Sequence, residues 1–198
     1  MKKKIPRQLQ GERKDIRQTR QAANKMEAAG MFTSAVSRLM DINKWSKYAG
    51  ILSAEFQLAD DNGRPVQGNA KEGLFIRIDI IGPGTKAGEG YDWVRIEEIV
   101  YKEDIYMDSA YQLIRVRPSA DPGNPKGVAH FFGSSATSTF IVSREKLWLS
   151  VEIHGRNEKT SRDGTLTDKL RNEIVSLASV AGLSDMQWKS LAKGILGL

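Results

Sequence analysis

The chain has 198 residues, 40% hydrophobic and 27% charged, which is enough for one core with appendages or for two small domains. It contains no cysteine, which excludes disulfides and thiolate metal sites and fits a reducing compartment. The net charge of +6 is uneven, because residues 1–48 hold 12 Lys/Arg against 4 Asp/Glu and residues 49–198 hold 18 against 20. A basic segment on a nearly neutral body is typical of binding to a polyanion or an acidic protein surface.

The first residues lack the features of a secretory signal peptide. Pro6 and a run of polar residues follow Ile5, where a signal peptide would have an apolar stretch. No apolar run elsewhere is long enough to cross a bilayer. We therefore expect a soluble, cytoplasmic protein.

Residues 1–30 are predicted to form a basic helical arm. Helix propensity is good over residues 12–29, but the apolar stripe is limited to Ile16, Ala23 and Met26. Such a helix is marginal alone, so we expect the arm to be disordered when free and helical on a partner. The cations assigned to partner binding are Lys2, Lys3, Lys4, Arg7, Arg13, Lys14, Arg17, Arg20 and Lys25.

The partner of this arm is open to several interpretations. We favour docking on a protein assembly or on other subunits of the same chain. Nucleic acid is the alternative, since nine cations neutralise several phosphates, although no aromatic residue in the arm offers base stacking. A solvated tail is a third interpretation, and a membrane surface is disfavoured because large apolar residues opposite the cations are missing.

Residues 31–48 are predicted to form an amphipathic docking helix. Apolar residues recur at helical spacing over residues 31–45, and Trp45 and Tyr48 follow as anchors on the body.

Residues 49–155 are predicted to be a β core of about six strands. Apolar and polar residues alternate over residues 52–58, 74–80, 94–100, 112–116, 137–142 and 147–154, with turn residues between them. No helical pattern separates the strands, so the pairing should be antiparallel. We expect an α+β fold whose main part is an antiparallel β-barrel, and we favour the barrel over a sandwich.

An acidic stretch begins within the third of these strands and continues beyond it. It consists of Glu97, Glu98, Glu103, Asp104 and Asp108. One interpretation is that it receives the basic arm of a neighbouring subunit. We favour the other, a solvated strand end and loop.

The glycine-rich loop over residues 82–90 does not fit a phosphate-binding loop. A P-loop places Lys and Ser/Thr after its last glycine and then begins a helix, whereas here Thr85 precedes Lys86 and a strand follows. We interpret the segment as a flexible connection. A partner-binding loop is the lesser alternative, with Thr85, Lys86, Glu89 and Tyr91 as candidate residues.

No catalytic or metal site is indicated. The two histidines are His130 and His154, and Glu152 and His154 should share one face of a strand. No spacing supports a triad with a serine, and two histidines alone do not make a zinc site. We expect structural histidines, no cofactor, no small-molecule substrate and no enzymatic activity.

Residues 156–198 are predicted to form a C-terminal helical hairpin. Thr165 and Ser184 are candidate N-caps, and Gly182 separates the two helices. The apolar spacing also fits a helix-turn-helix. We disfavour DNA recognition, because the second helix offers Gln187 for bases and only Lys189 and Lys193 as cations.

Two stretches carry a family resemblance. Residues 88–99 (GEGYDWVRIEEI) and residues 136–144 with 151–159 (ATSTFIVSR, VEIHGRNEK) resemble a family of Bacteroidetes proteins of unknown function. The resemblance covers roughly residues 45–195 and leaves out the arm. It implies a bacterial cytoplasmic or phage-derived protein and transfers no site residue.

The sequence thus predicts a non-enzymatic assembly or binding module whose basic arm docks on a macromolecular partner. By analogy of form, a structural component of a phage-like or injection-type assembly fits this anatomy. The alternative is a nucleic-acid-binding protein that uses the arm and the helix-turn-helix-like C-terminal pair.

Overall fold

The computed structural model of the protein describes residues 5–50, 54–79, 91–123, 135–158 and 185–198. Within these ranges the chain forms one antiparallel sheet of seven strands, three α-helices and a short 3-10 turn. The strands are β1 (Glu12–Gln21), β2 (Glu55–Ala59), β3 (Phe75–Asp79), β4 (Asp92–Asp104), β5 (Ser109–Ser119), β6 (Thr137–Glu145) and β7 (Trp148–Glu158). The helices are α1 (Lys25–Met40), α2 (Trp45–Ala49) and α3 (Asp185–Leu196), with the 3-10 turn at Ile42–Lys44.

The sheet is open, and its strand order is β1-β7-β6-β5-β4-β3-β2. This confirms the α+β class and the antiparallel core, but the predicted barrel closure is not found. A barrel would need β1 and β2 to pair with each other, whereas β1 pairs with β7 and β2 pairs with β3. The sheet also has one strand more than expected, because β1 comes from the segment predicted to be a helical arm.

The prediction of a helix in the basic arm is wrong for the residues that form β1. Glu12 to Gln21 form an edge strand that pairs antiparallel with β7, from Glu158 to Trp148. Of the predicted apolar stripe only Ile16 lies in this strand, where it is 4% exposed in the core, whereas Ala23 and Met26 follow the strand and are exposed. The edge of β7 offers a long row of backbone hydrogen bonds, and this tertiary pairing overrides the local helix propensity.

Helix α1 begins in the predicted arm and extends into the predicted docking helix. Asn24 caps it, since its side-chain oxygen accepts from the backbone N–H of Glu27 at 2.9 Å. The carboxylate of Glu27 in turn accepts from the backbone N–H of Ala23 at 2.6 Å. Two otherwise unpaired N–H groups are thereby satisfied, which fixes the start of the helix after β1. The predicted single helix over residues 31–48 is therefore wrong in its bounds, since α1, the 3-10 turn and α2 share this range.

The helices cover one face of the sheet, and four aromatic rings form the centre of the core. Trp45 lies 5.4 Å from Phe56 and 4.8 Å from Phe140, and Phe140 lies 5.7 Å from Trp188, all between ring centroids. These contacts join α2, β2, β6 and α3. The predicted anchoring by Trp45 is confirmed, because its side chain is 1% exposed.

Helix α3 is fastened at both ends by residues of β1. Lys14 Nζ lies 3.1 Å from a carboxylate oxygen of Asp185, and the Arg20 guanidinium donates to the carbonyl of Gly197 at 2.9 Å. The second helix of the predicted C-terminal hairpin is thus confirmed, while its first helix lies outside the described residues. No helix in the described ranges is long and apolar enough to cross a membrane.

Candidate functional site

Most of the described cations assigned to a basic arm have partners within the chain. Arg13 pairs with Asp15, and Arg17 Nε lies 3.4 Å from Glu152 Oε1. Further along the segment, Lys25 Nζ lies 3.0 Å from Asp108 Oδ2. With the contacts of Lys14 and Arg20 to α3, these cations belong to an edge strand and a helix start, so the expectation of a detached helical arm is wrong.

Lys2, Lys3 and Lys4 are also assigned to partner binding, but they lie outside the described residues. Arg7 precedes β1, and its carbonyl accepts from the side chain of Asn157 at 3.1 Å. Charged side chains along an edge strand also protect its open side from pairing with other chains. Partner binding by the nine cations therefore stays a prediction.

The loop candidates are only partly described. Thr85, Lys86 and Glu89 fall outside the described residues, whereas Tyr91 precedes β4. The guanidinium carbon of Arg77 lies 4.4 Å from the centroid of the Tyr91 ring, a cation–π contact between β3 and the start of β4. This ring therefore helps to join the two strands.

A polar cluster links β1 to β7 on the face of the sheet opposite the helices. The expectation that Glu152 and His154 share one face of a strand is confirmed, and on that face His154 Nε2 lies 3.0 Å from Glu152 Oε2. The other ring nitrogen, Nδ1, lies 2.5 Å from Asp15 Oδ1 on β1. Arg156 donates to the same oxygen at 2.5 Å. Glu152, His154 and Arg156 are all buried.

Both carboxylates of this polar cluster are held in the ionised form. Burial raises the pKa of Asp15, but the hydrogen bonds from His154, Arg156 and Arg13 outweigh it and lower the pKa to about 2. The hydrogen bond from His154 likewise lowers the pKa of Glu152 against the opposing effect of burial. Charge-assisted hydrogen bonds of this kind are stronger than neutral ones, so the cluster fastens the edge strand.

The serine nearest to this cluster does not form a triad with the histidine. Ser150 donates its hydroxyl hydrogen to Glu152 Oε1 at 3.0 Å, so the carboxylate and not the imidazole receives it. In the described ranges no group of three or more His, Asp and Glu side chains has the arrangement of a metal site. The geometry thus favours the structural role that we expect for His154.

A second feature lies where the β4–β5 turn, the β6–β7 turn and the start of α1 meet. Met26, Ile105, Tyr106 and Met107, which we call the hairpin-end surface, are 87%, 85%, 102% and 64% exposed. Beside them is a cleft of about 630 Å³. It is lined by Asn24, Lys25, Tyr106, Met107, Asp108, Lys146 and Leu147.

Asp108 holds the elements of this end together. Its carboxylate accepts from Arg144 at 2.6 Å and pairs with Lys25, while its carbonyl accepts from the backbone N–H of Lys146 at 2.8 Å. Salt-bridge hydrogen bonds to Arg144 and Lys25 lower the pKa of Asp108 and keep it ionised. Asp108 of the acidic stretch therefore forms an ion pair with Lys25 of the basic segment within the same chain. Glu97 and Glu98 also pair within the chain, with Arg117 and Arg115.

The helix-turn-helix interpretation is tested only on its second helix. Trp188, Leu191 and Ile195 are buried against the body, which leaves Lys189 and Lys193 on the exposed side of α3. Gln187, the candidate for base recognition, already interacts within the chain. The use of this helix on DNA stays a prediction.

Sequence reasoning did not identify the hairpin-end surface. Three consecutive apolar residues, Ile105, Tyr106 and Met107, lie between Asp104 and Asp108 in a stretch that forms a turn. Turns are normally polar, so an apolar triplet between two aspartates is a signal that could have indicated an exposed surface.

Comparisons with known proteins add little. No protein-family model and no curated protein matches the chain. Among solved structures, "Crystal structure of Ara h 8.0201" matches with a TM-score of 0.38 and 13% identity, over 94% of this chain and 97% of that chain. Because the TM-score is below 0.5, we draw neither fold nor function from this likeness. The resemblance to Bacteroidetes proteins stays a prediction.

Proposed function

We propose that the protein is a non-enzymatic assembly module that associates with further copies of itself through the hairpin-end surface. The observation that carries this proposal is the nearly complete exposure of Ile105 and Tyr106 at the tip of the long β4–β5 hairpin. Monomeric proteins rarely expose contiguous apolar patches larger than roughly a few hundred Å², and larger patches mark interaction sites. Burying one large, fully exposed side chain contributes about 1.5–3 kcal/mol before the entropic costs of association.

The tip is positioned for docking by the contacts of Asp108. This residue lies in the turn with a positive φ of 47° and is bonded to α1, β6 and the β6–β7 turn. The apolar side chains are therefore presented on a turn that is already ordered. Ordering before association lowers the entropic cost of binding.

The charges around the hairpin-end surface favour a second copy of the chain as the occupant. Exposed cations and anions alternate there, with Lys102 and Lys146 beside Glu103, Asp104 and Glu145. A surface that binds a strongly charged partner carries mainly the opposite sign. An interface around a twofold axis must instead be complementary to itself, and a rim with both signs meets that condition.

Within this proposal the basic segment contributes through Lys25, whose ion pair with Asp108 joins α1 to the turn. The remaining described cations of β1 stabilise the fold. Assembly thus depends on the hairpin end and not on a detached arm.

The proposal is tested by replacing the apolar triplet and measuring mass in solution. We would change Ile105, Tyr106 and Met107 together to Ser and follow sedimentation and light scattering from micromolar to millimolar protein. The intact chain should gain mass with concentration, and the triple variant should stay monomeric at every concentration. Met186→Ser is the matched control, since Met186 is 70% exposed on α3, away from the hairpin end.

Urea unfolding of all three proteins would show that the substitutions leave the fold intact. Two outcomes overturn the proposal. One is an intact chain that remains monomeric over the whole concentration range. The other is a triple variant that associates as strongly as the intact protein.

A further inference from the structure

Four hydroxyl side chains lie in register on four neighbouring strands. Thr19 on β1 is opposite Ser150 on β7, Ser150 is opposite Ser143 on β6, and Ser143 is opposite Tyr111 on β5. Their strand neighbours Val142, Leu149 and Val151 face the helices, so these four, the hydroxyl row, point to the other side. Two members of the row are in contact, since Ser143 Oγ lies 2.8 Å from Ser150 Oγ.

A cleft of about 330 Å³ opens over the β1, β6 and β7 part of this row. It is lined by Arg17, Thr19, Ser143, Glu145, Lys146, Trp148, Leu149 and Ser150. The indole of Trp148 is 53% exposed, while the other three tryptophans are at most 6% exposed. A large aromatic face open to solvent beside a row of hydroxyls is an arrangement that core packing does not require.

The direction of the hydroxyl hydrogens follows from the polar cluster. Ser150 has one hydroxyl hydrogen and donates it to Glu152, whose ionised form is held by the hydrogen bond from His154. Ser143 must then be the donor in its 2.8 Å contact with Ser150. The hydroxyl oxygen of Ser143 can therefore accept a hydrogen bond from a ligand. Arg17 provides N–H donors at the same cleft.

The charges of the cleft favour a neutral ligand. Two cations, Arg17 and Lys146, and one anion, Glu145, line it, and a second anion, Glu152, lies against Arg17 at 3.4 Å. These charges balance, so neither an anion nor a cation gains a net attraction. A neutral ligand that both donates and accepts hydrogen bonds suits the hydroxyls, and one with an apolar ring face suits the indole.

We infer that this cleft binds a neutral saccharide, with the C–H face of one sugar ring on Trp148 and its hydroxyls on Ser143, Thr19 and Arg17. Small-molecule sites start at roughly 300 Å³, so the cleft has room for about one ring. Trp148 and the hydroxyl row are not part of the hairpin-end surface, so this binding can be tested separately from the proposed self-association, although Lys146 lines the clefts at both places.

The test uses the full chain labelled with fluorotryptophan and observed by fluorine NMR. The chain has four tryptophans, and Trp148→Phe assigns the exposed one. The probes are the methyl glycosides of glucose, galactose, mannose and N-acetylglucosamine, with inorganic phosphate and ethylammonium as charged probes. At least one glycoside should shift the Trp148 signal saturably, while the signals of Trp45, Trp93 and Trp188 stay in place.

Two variants connect the binding to the hydroxyl row. Ser143→Ala should weaken binding about fivefold, the effect of one lost hydrogen bond. Met186→Ser, on the exposed side of α3, should leave the affinity unchanged. The inference is overturned if no glycoside gives a saturable shift at tens of millimolar, if only phosphate or ethylammonium shifts the signal, or if Ser143→Ala binds as tightly as the intact chain.

Discussion

Asp92 makes the stability of the protein depend on pH in an unusual range. It lies at the start of β4 opposite Ile78, on the side of the strand that carries the buried Val94. Its Oδ1 atom is buried and has no hydrogen-bond partner among the residues that the structure describes. Burial raises the pKa of Asp92 from 3.8 to about 7, because the charged form would lose its hydration without a compensating contact.

The direction of the effect follows from the raised pKa. The contribution of Asp92 is fully present below its unfolded pKa of 3.8, and it is lost as the pH rises toward the folded pKa of about 7. A difference of about three pKa units corresponds to about 4 kcal/mol in total, of which about 2.5 kcal/mol falls between about pH 5 and pH 8. Asp92→Asn, which cannot ionise, should remove this loss and be the more stable protein at about pH 8.

Urea unfolding of both proteins at several pH values measures the difference. Glu158 also has a pKa raised by burial, but it is present in both chains and cancels in the comparison. Asp79→Asn is the matched control, because Asp79 is exposed at the adjacent end of β3 and should change stability by less than about 0.5 kcal/mol. Parallel stability profiles for the intact chain and Asp92→Asn would refute the assignment.

The remaining predictions concern packing and the first strand. A Cβ at Gly194 would overlap the carbonyl oxygen of Tyr48, so Gly194→Ala should cost about 2–3 kcal/mol in urea unfolding. An unchanged midpoint would contradict this close approach. At Gly30 in α1 an added Cβ meets nothing within 4 Å in the described part of the chain, so Gly30→Ala should instead stabilise by about 1 kcal/mol. Deleting residues 5–21 removes β1 and should abolish cooperative thermal unfolding in circular dichroism, whereas a folded truncated chain would show that β1 is dispensable.

The strands of the core could be predicted because each shows its own alternation of apolar and polar residues. The Glu152–His154 pair followed from the same alternation in β7. Strand β1 could not be predicted in this way, because Ile16 is the only buried residue of the strand. The stability of β1 comes from pairing with β7, which lies far along the chain. The start of α1, in contrast, could have been predicted, because Asn24 followed three residues later by Glu27 is a helix-capping signal in the sequence.

Whether the sheet closes and whether the hydroxyl row forms both depend on which strands become neighbours. The hydroxyl row exists only because β1, β7, β6 and β5 lie side by side in one register. Nothing local in the sequence around Thr19 or Ser143 indicates that alignment. The exposed turn at Tyr106 needed only local information, and its apolar character in a turn was the available clue.

The pairing of β1 with β7 has a consequence for how the protein is made. During synthesis the segment around Ile16 leaves the ribosome long before its partner Ile153 exists. Until β7 is made, the backbone groups of β1 cannot form these sheet hydrogen bonds and remain exposed to water. The hydrophobic core is also incomplete at that stage. Because contacts so distant in sequence form slowly, the sheet should be completed only after β7 has been translated. We expect the nascent chain to bind chaperones until then.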